Sequence, residues 1–217
     1  MNSEELKEKV FDKLVKTYIK TAKPVGSKIL KRRYFKNLAD STIRLYLSDL
    51  VLERLLENIK FSVGRIPTDL GWRFYLEKNI DKINEYNYDD FFNKINDLFD
   101  IIDGISEEFK CYCILKRKKS LYEMGLENLF RNREFWDINI TREFAGLLKD
   151  VKENIEIFDS FRDELKIFIG SEIPFKRYKN FSMVIGNYGD NKILVITLKR
   201  LDYPKLYGLL NYLIKNG

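Results

Sequence analysis

No histidine occurs among the 217 residues. That absence removes imidazole both as a general base and as a zinc ligand. Cysteine is nearly as scarce, with Cys111 and Cys113 alone. Two residues apart on an extended segment, they share one face and leave no room for an unstrained bridge. Both read as reduced thiols, buried or half-buried, and a metal site built on them would need carboxylate help. No uninterrupted apolar run approaches the length that spans a bilayer. The start, Met1-Asn2-Ser3-Glu4-Glu5, lacks the basic-then-apolar pattern of a secretory signal. The cytoplasm is therefore the expected location, with no membrane partner. A Gly-rich phosphate loop, a paired-carboxylate spacing and a nucleophile elbow are all missing as well. No enzyme and no cofactor are expected.

What is present is 45% hydrophobic residues, enough for one or two cores of ordinary size, and 33% charged residues. The net charge of +6 is unevenly spread. Residues 1–78 hold 17 Lys and Arg against 10 Asp and Glu, and the remainder holds 22 against 23. Lys23, Lys28, Lys31, Arg32, Arg33 and Lys36 crowd together in front of the segment that opens at Ser41. Charge so one-sided suits a phosphate backbone; a lysine-rich solvated face is the alternative.

Glu4 to Thr21 reads as an amphipathic helix with acids leading and lysines trailing. A short helix from Lys28 to Tyr34 follows, with Ser27 as its expected N-cap. From Ser41, the residues Ile43, Leu47, Leu50 and Val51 recur at helical spacing, and Thr42, Leu45, Tyr46 and Asp49 lie on the other face. Two short extended arms around Ser62-Val63-Gly64-Arg65 read as a β-hairpin, or wing. Helix, helix, tight turn, helix and hairpin is the winged helix-turn-helix order. Thr68 caps a further helix, which Leu70 and Phe74 are expected to pack back onto this domain.

Asn84 to Asp89 is the expected hinge. Beyond it, Phe91, Phe92, Ile95, Leu98, Phe99 and Ile102 form one narrow aromatic and aliphatic stripe, read as a dimerisation helix rather than a core helix. Phe109 to Leu115 reads as a strand. Ser120 to Asp137 carries a short helix, and Thr141 to Phe161 reads as a long one with Phe144, Leu147, Val151 and Phe158 inward. Strand-like runs at 166–170, 181–187 and 193–198 follow, with Tyr188-Gly189-Asp190-Asn191 as a hairpin turn. Pro204 to Lys215 closes the chain as a helix.

Several of these stretches carry a resemblance. Pro24-Val25-Gly26-Ser27-Lys28, Ser41-Thr42-Ile43-Arg44 and Gly64-Arg65-Ile66-Pro67-Thr68-Asp69-Leu70-Gly71-Trp72-Arg73 resemble the DNA-binding domain of the HrcA family of heat-inducible transcription repressors. Gly125 to Phe135, Ile169-Gly170-Ser171-Glu172 and Lys199-Arg200-Leu201-Asp202-Tyr203 resemble its GAF-like domain. Length missing between Lys78 and Gly125, relative to the family, implies a shortened member without the inserted domain and with a smaller sheet. The resemblance implies an α+β chain: a winged helix-turn-helix domain over residues 1–78, a linker and dimerisation helix over 79–119, and a reduced GAF-like domain with a small antiparallel sheet over 120–217. It also implies a homodimeric repressor of chaperone genes on an inverted-repeat operator in double-stranded DNA, with a chaperonin as a candidate regulatory partner.

Arg44 and Arg65 are then the leading DNA contacts. An arginine in the first turn of a reading helix can fork to guanine or clamp a phosphate; an ion pair with Asp40 or Asp49 is its alternative. Arg65, at a wing tip, suits a minor groove or its phosphates. Ser27, Lys28, Ser41, Thr42 and Lys60 complete the polar set. Leu45 and Tyr46 replace the polar residues of the family, where asparagine follows the arginine. Leu45 can touch a thymine methyl and Tyr46 a phosphate, which implies a changed operator preference of about 1–3 kcal/mol per substituted contact. Packing of both residues against another helix is the alternative. A ligand-responsive regulator, using a pocket near Arg200 and Asp202, remains the second function, and a protein- or RNA-binding module the third.

Overall fold

Helix α1 (Ser3–Thr21) begins at a closed capping box: Asn2 accepts the Glu5 backbone N–H at 2.8 Å, and the Glu5 carboxylate accepts that of Asn2 at 3.1 Å. It stops at Ala22, whose left-handed backbone (φ 52) breaks the ladder just before Pro24. In this computed structural model, residues 2–59, 64–81, 88–92, 97–175 and 178–216 are described. The chain divides into two units, Met1–Asn79 and Ile80–Gly217.

In the first unit, α2 (Ser27–Tyr34) and α3 (Asp40–Leu52) follow α1. Gly26, not Ser27, takes the N-cap position of α2, and Ser27 is the first helical residue with its side chain buried. The core joins Val10, Phe11, Leu14 and Val15 of α1 to Leu30 of α2 and Ile43, Leu47 and Leu50 of α3. Arg54, also left-handed (φ 61), turns the chain into β1 (Leu56–Asn58), which pairs antiparallel with β2 (Arg65–Pro67). Val25 bonds β2 from the other side, exchanging two backbone hydrogen bonds of 3.0 Å with Arg65.

Helix α4 (Asp69–Asn79) is capped as expected, Thr68 Oγ1 accepting the Gly71 N–H at 3.0 Å. Phe74 meets Phe11 edge-on at 5.4 Å. Leu70, expected to pack, is exposed, and Trp72, Tyr75 and Leu76 are buried instead. Gly71 permits this approach: a Cβ there would lie 2.0 Å from the Leu55 carbonyl oxygen.

The second unit holds a five-stranded sheet in the order β4-β3-β7-β6-β5, antiparallel at every pairing. Its strands are β3 (Tyr112–Arg117), β4 (Ser120–Met124), β5 (Leu165–Ile169), β6 (Phe181–Tyr188) and β7 (Asn191–Leu198). β4 opens the stretch 120–137, whose expected short helix is α7 (Leu126–Phe130). β3 is an interior strand, so residues 98–119, placed above in the linker and dimerisation-helix segment, belong to this unit. Helix α8 (Ile138–Glu153) ends at Asn154, whose side-chain amide donates to the Asp150 carbonyl at 2.8 Å; a 3-10 turn over Ile155–Ser160 replaces the rest of the long helix expected there. One sheet face, with Ile114, Phe181, Met183 and Ile196, packs on Phe144, Leu147, Val151 and Phe158. Alternation turns Cys113, Val184 and Val195 to the opposite face, where α6 (Leu98–Phe109) and α9 (Tyr203–Asn216) lie. The whole is α+β.

The expected dimerisation stripe is divided. Asp97 caps α6 by accepting the Asp100 N–H at 2.9 Å, which separates α6 from the short α5 (Asp89–Phe92). Within this unit Phe92 stacks on Tyr212 at 5.0 Å, Phe91 meets Phe92 edge-on at 5.3 Å and Phe99 meets Tyr122 at 5.0 Å. Leu98 is half-buried and Ile102 is wholly buried. Ile102 is therefore a core residue, because a side chain without exposed surface has none to offer a second copy. Ile95 and most of the hinge at 84–89 lie outside the described residues.

Candidate nucleic-acid interface

Helix α3 has an inner and an outer face, and the outer one starts at its first turn. Ser41, Arg44, Leu45 and Ser48 are exposed, Leu45 to 59%, and Thr42 is half-buried. Tyr46 does not join them. It is 9% exposed, with its Oη 3.2 Å from Ser3 Oγ on α1. The packing alternative holds for Tyr46, and its expected phosphate contact is withdrawn. The spacing 43, 46, 47, 50 carried this signal, since a helical stripe about 100° wide takes in i+3 as well as i+4.

Arg44 keeps 62% of its side chain in solvent and sits 3.5 Å, Nε to Oδ2, from Asp40. An exposed pair of this kind is worth about 0–1 kcal/mol, so a phosphate or a guanine edge can replace the carboxylate. Beside it on α2, Lys28, Arg32 and Arg33 are exposed, as is Lys36 just beyond. Among the described residues no ion pair engages any of these four. Ser27, by contrast, is turned into the core.

Arg65 stands at the end of the ribbon nearest its connecting loop. It opens β2, opposite Asn58 on one side and bonded to Val25 on the other. Its Nε is buried with no hydrogen-bond partner among the described residues, and burial lowers the pKa of the guanidinium. Gly64 beside it has φ 125, and a Cβ there would lie 2.8 Å from backbone atoms of Pro24 and Val25. This glycine lets the returning arm run against the loop before α2. Lys60 lies outside the described residues.

In the second unit, Arg200 is engaged internally. Its Nε donates to Glu134 Oε1 at 2.5 Å and its Nη2 to Asn132 Oδ1 at 3.2 Å. Tyr203 packs, wholly buried, and donates to the Lys199 carbonyl at 2.9 Å. Cys111 and Cys113 are free and buried with sulfurs 3.7 Å apart; burial, then the hydrogen bond to Cys113, pushes the Cys111 thiol pKa up. Among the described residues, no group of three or more Cys, Asp or Glu is placed to hold a metal ion, and no helix is long and apolar enough to cross a membrane.

A small helical unit with a two-stranded ribbon, followed by an antiparallel α+β unit, defines the class of protein. A crystal structure at 2.2 Å, of a protein described only as hypothetical, shares this fold with a TM-score of 0.82 at 16% identity, over 96% of this chain and 95% of that one. The family model for the HrcA protein C-terminal domain matches residues 52–206, and the chain belongs to that family. The heat-inducible transcription repressor HrcA of Desulfitobacterium hafniense is 38% identical over 82 residues, 38% of this chain and 24% of that protein. The repressors of the same name from Moorella thermoacetica and Chlamydia trachomatis are 42% and 43% identical over 77 and 65 residues, 36% and 30% of this chain. Those alignments span 22% and 17% of the two relatives, so the chain covers less than a quarter of the curated relatives it matches.

Proposed function

We propose that this chain is a sequence-specific transcriptional repressor of heat-shock genes, acting in the cytoplasm as a homodimer on an inverted-repeat operator. The first unit is then a winged helix-turn-helix head. Three helices, a β1–β2 ribbon and the extended segment at Val25 support that reading. The five-stranded antiparallel sheet with helices on both faces supports a GAF-like second unit.

The observation that carries the proposal is the outer face of α3. Ser41, Arg44 and Leu45 stand exposed, with the exposed cations Lys28, Arg32 and Arg33 on the neighbouring α2. Cations hold phosphates and set register, while Arg44 and Leu45 meet base edges: guanine through a guanidinium fork and thymine through its methyl. The ligand-responsive alternative is less favoured, because the Arg200 guanidinium that it needs is bonded to Glu134 and Asn132.

Selection from random duplexes tests the proposal. The wild-type chain is expected to enrich a palindrome, and Arg44→Ala to lose the enriched base step while its thermal unfolding stays unchanged. Recovery of no preferred sequence by the wild type would sink it.

A further inference from the structure

Arg44 differs in one respect from the exposed cations of the neighbouring helix. Lys28, Arg32 and Arg33 on α2, and Lys36 just beyond it, have no acid paired with them among the described residues. Arg44 has one. That acid is Asp40, one turn earlier on the same helix; Asp49 is not paired with Arg44 among the described residues. The Asp40 carboxylate approaches through Oδ2, 3.5 Å from Arg44 Nε. It is a sheltered group: its side chain is 24% exposed, and Oδ1 is buried without a hydrogen-bond partner among the described residues.

A guanidinium carries one N–H on Nε and two on each Nη. A carboxylate on the Nε side leaves the far end, with Nη1 and Nη2, for a ligand. The two ligands that a duplex offers respond differently to that carboxylate. A phosphate is an anion, and a like charge beside its binding group repels it. The edge of guanine is neutral and presents two acceptors, O6 and N7, which match the Nη fork. Asp40 therefore penalises the phosphate and not the base. It also narrows the orientations open to Arg44 before binding, so less freedom is lost when the fork closes on guanine. A pair at this spacing supports the helix as well, and an acid in the first turn suits its dipole. Those effects alone would change the affinity for every sequence alike.

We propose that Asp40 is a positioning residue that commits Arg44 to a guanine edge instead of a phosphate, its carboxylate steadying the Nε side while the two Nη groups fork to O6 and N7. The proposal rests on the reading of α3 as the helix that enters the major groove. It divides the labour of this surface. The four cations without an acid hold the backbone, and the one with an acid reads a base.

The test measures binding of the full chain to its selected duplex and to the same duplex with the guanine pair read by Arg44 exchanged. Asp40→Asn keeps the shape of the side chain and removes its charge. It is expected to lower discrimination at that pair about 3- to 10-fold and to bind unselected duplex at least as tightly as wild type. It should also steepen the salt dependence by up to about 0.9 per copy, because the freed guanidinium can take a phosphate. Asp40→Glu, which keeps the charge, should retain the discrimination. In an Arg44→Ala background Asp40→Asn should change nothing at that pair, since a positioning residue acts only through the group it positions. Replacing the guanine by 7-deazaguanine, which lacks the N7 acceptor, should weaken wild type about 3- to 10-fold and Asp40→Asn less. Discrimination intact in Asp40→Asn, every duplex weakened by one factor, or the same loss in the Arg44→Ala background overturns the inference, as does a wild type indifferent to 7-deazaguanine. If wild type selects a duplex and loses that preference with Arg44→Ala while any of these holds, the inference fails and the repressor proposal stands. If wild type selects no duplex, both fail.

Discussion

Tyr46 and Arg44 lie two residues apart and have opposite fates. The tyrosine ring is 9% exposed and its hydroxyl is within reach of Ser3, so it has little surface to give a duplex. Tyr46→Phe should cost at most about 1 kcal/mol of stability and leave DNA affinity unchanged, as equilibrium unfolding and a gel-shift titration would establish. Arg44→Ala should do the opposite, with unfolding unaltered and about 1–3 kcal/mol of discrimination lost at one operator position. Gly71→Ala carries a structural cost alone. Its Cβ would meet a backbone oxygen that no rotamer change can move, so a loss of about 1–3 kcal/mol is expected in denaturant melts. At this scale the sequence made Arg44, Leu45 and Lys28 legible as exposed groups, because helical spacing sets the face. It did not make the burial of the Arg65 Nε legible. That arginine is also paired to Val25, and the contact joins residues forty positions apart.

Strand β4 shows what local pattern leaves out. Ser120 to Met124 has neither strict alternation nor a continuous apolar run, and it forms an edge strand through its register with β3. β6 and β7 were legible, because two apolar runs flank a Gly-containing turn whose Gly189 adopts φ 54. The length of α8 was not legible, since the apolar spacing runs on past the point where Asn154 caps it. β4 also carries a titrating link. Burial works against the charge of Glu123, yet hydrogen bonds from Lys152 and Tyr112 outweigh it and hold the carboxyl below its ordinary value. A carboxylate with a depressed folded pKa stabilises at pH above its unfolded value, about 4.3, and that contribution disappears as pH falls through the folded value. Glu123 keeps 39% of its side chain in solvent, so the effect stays below about 1 kcal/mol. Glu123→Gln should therefore melt lower than wild type at neutral pH, with the gap closing on acidification below pH ~4.

Across the whole molecule, positive charge is segregated with the α3 face. Residues 1–78 carry 17 cations to 10 anions, and the rest of the chain is close to balance. If that segregation serves a phosphate backbone, binding must release counterions, and the logarithm of affinity must fall with that of salt by about 0.9 for each phosphate neutralised. Lys28, Arg32, Arg33 and Lys36 are exposed and free of ion pairs among the described residues, so about four contacts per copy are available. Two copies on an inverted repeat then neutralise about eight phosphates, and affinity should drop about a thousand-fold or more between 50 and 200 mM salt. Replacing Arg32 and Arg33 by alanine should reduce the slope by about one unit for each contact removed, and weaken all sequences nearly equally, because phosphates carry no base information. Arg44→Ala should instead change which sequence is preferred, since a guanidinium that reaches a base edge discriminates where a phosphate contact does not. Fluorescence anisotropy at four salt concentrations separates the two behaviours. A slope near zero in wild type, with sequence preference intact, would mean that the cations of α2 never meet the duplex, and the head would have to grip DNA through some other surface.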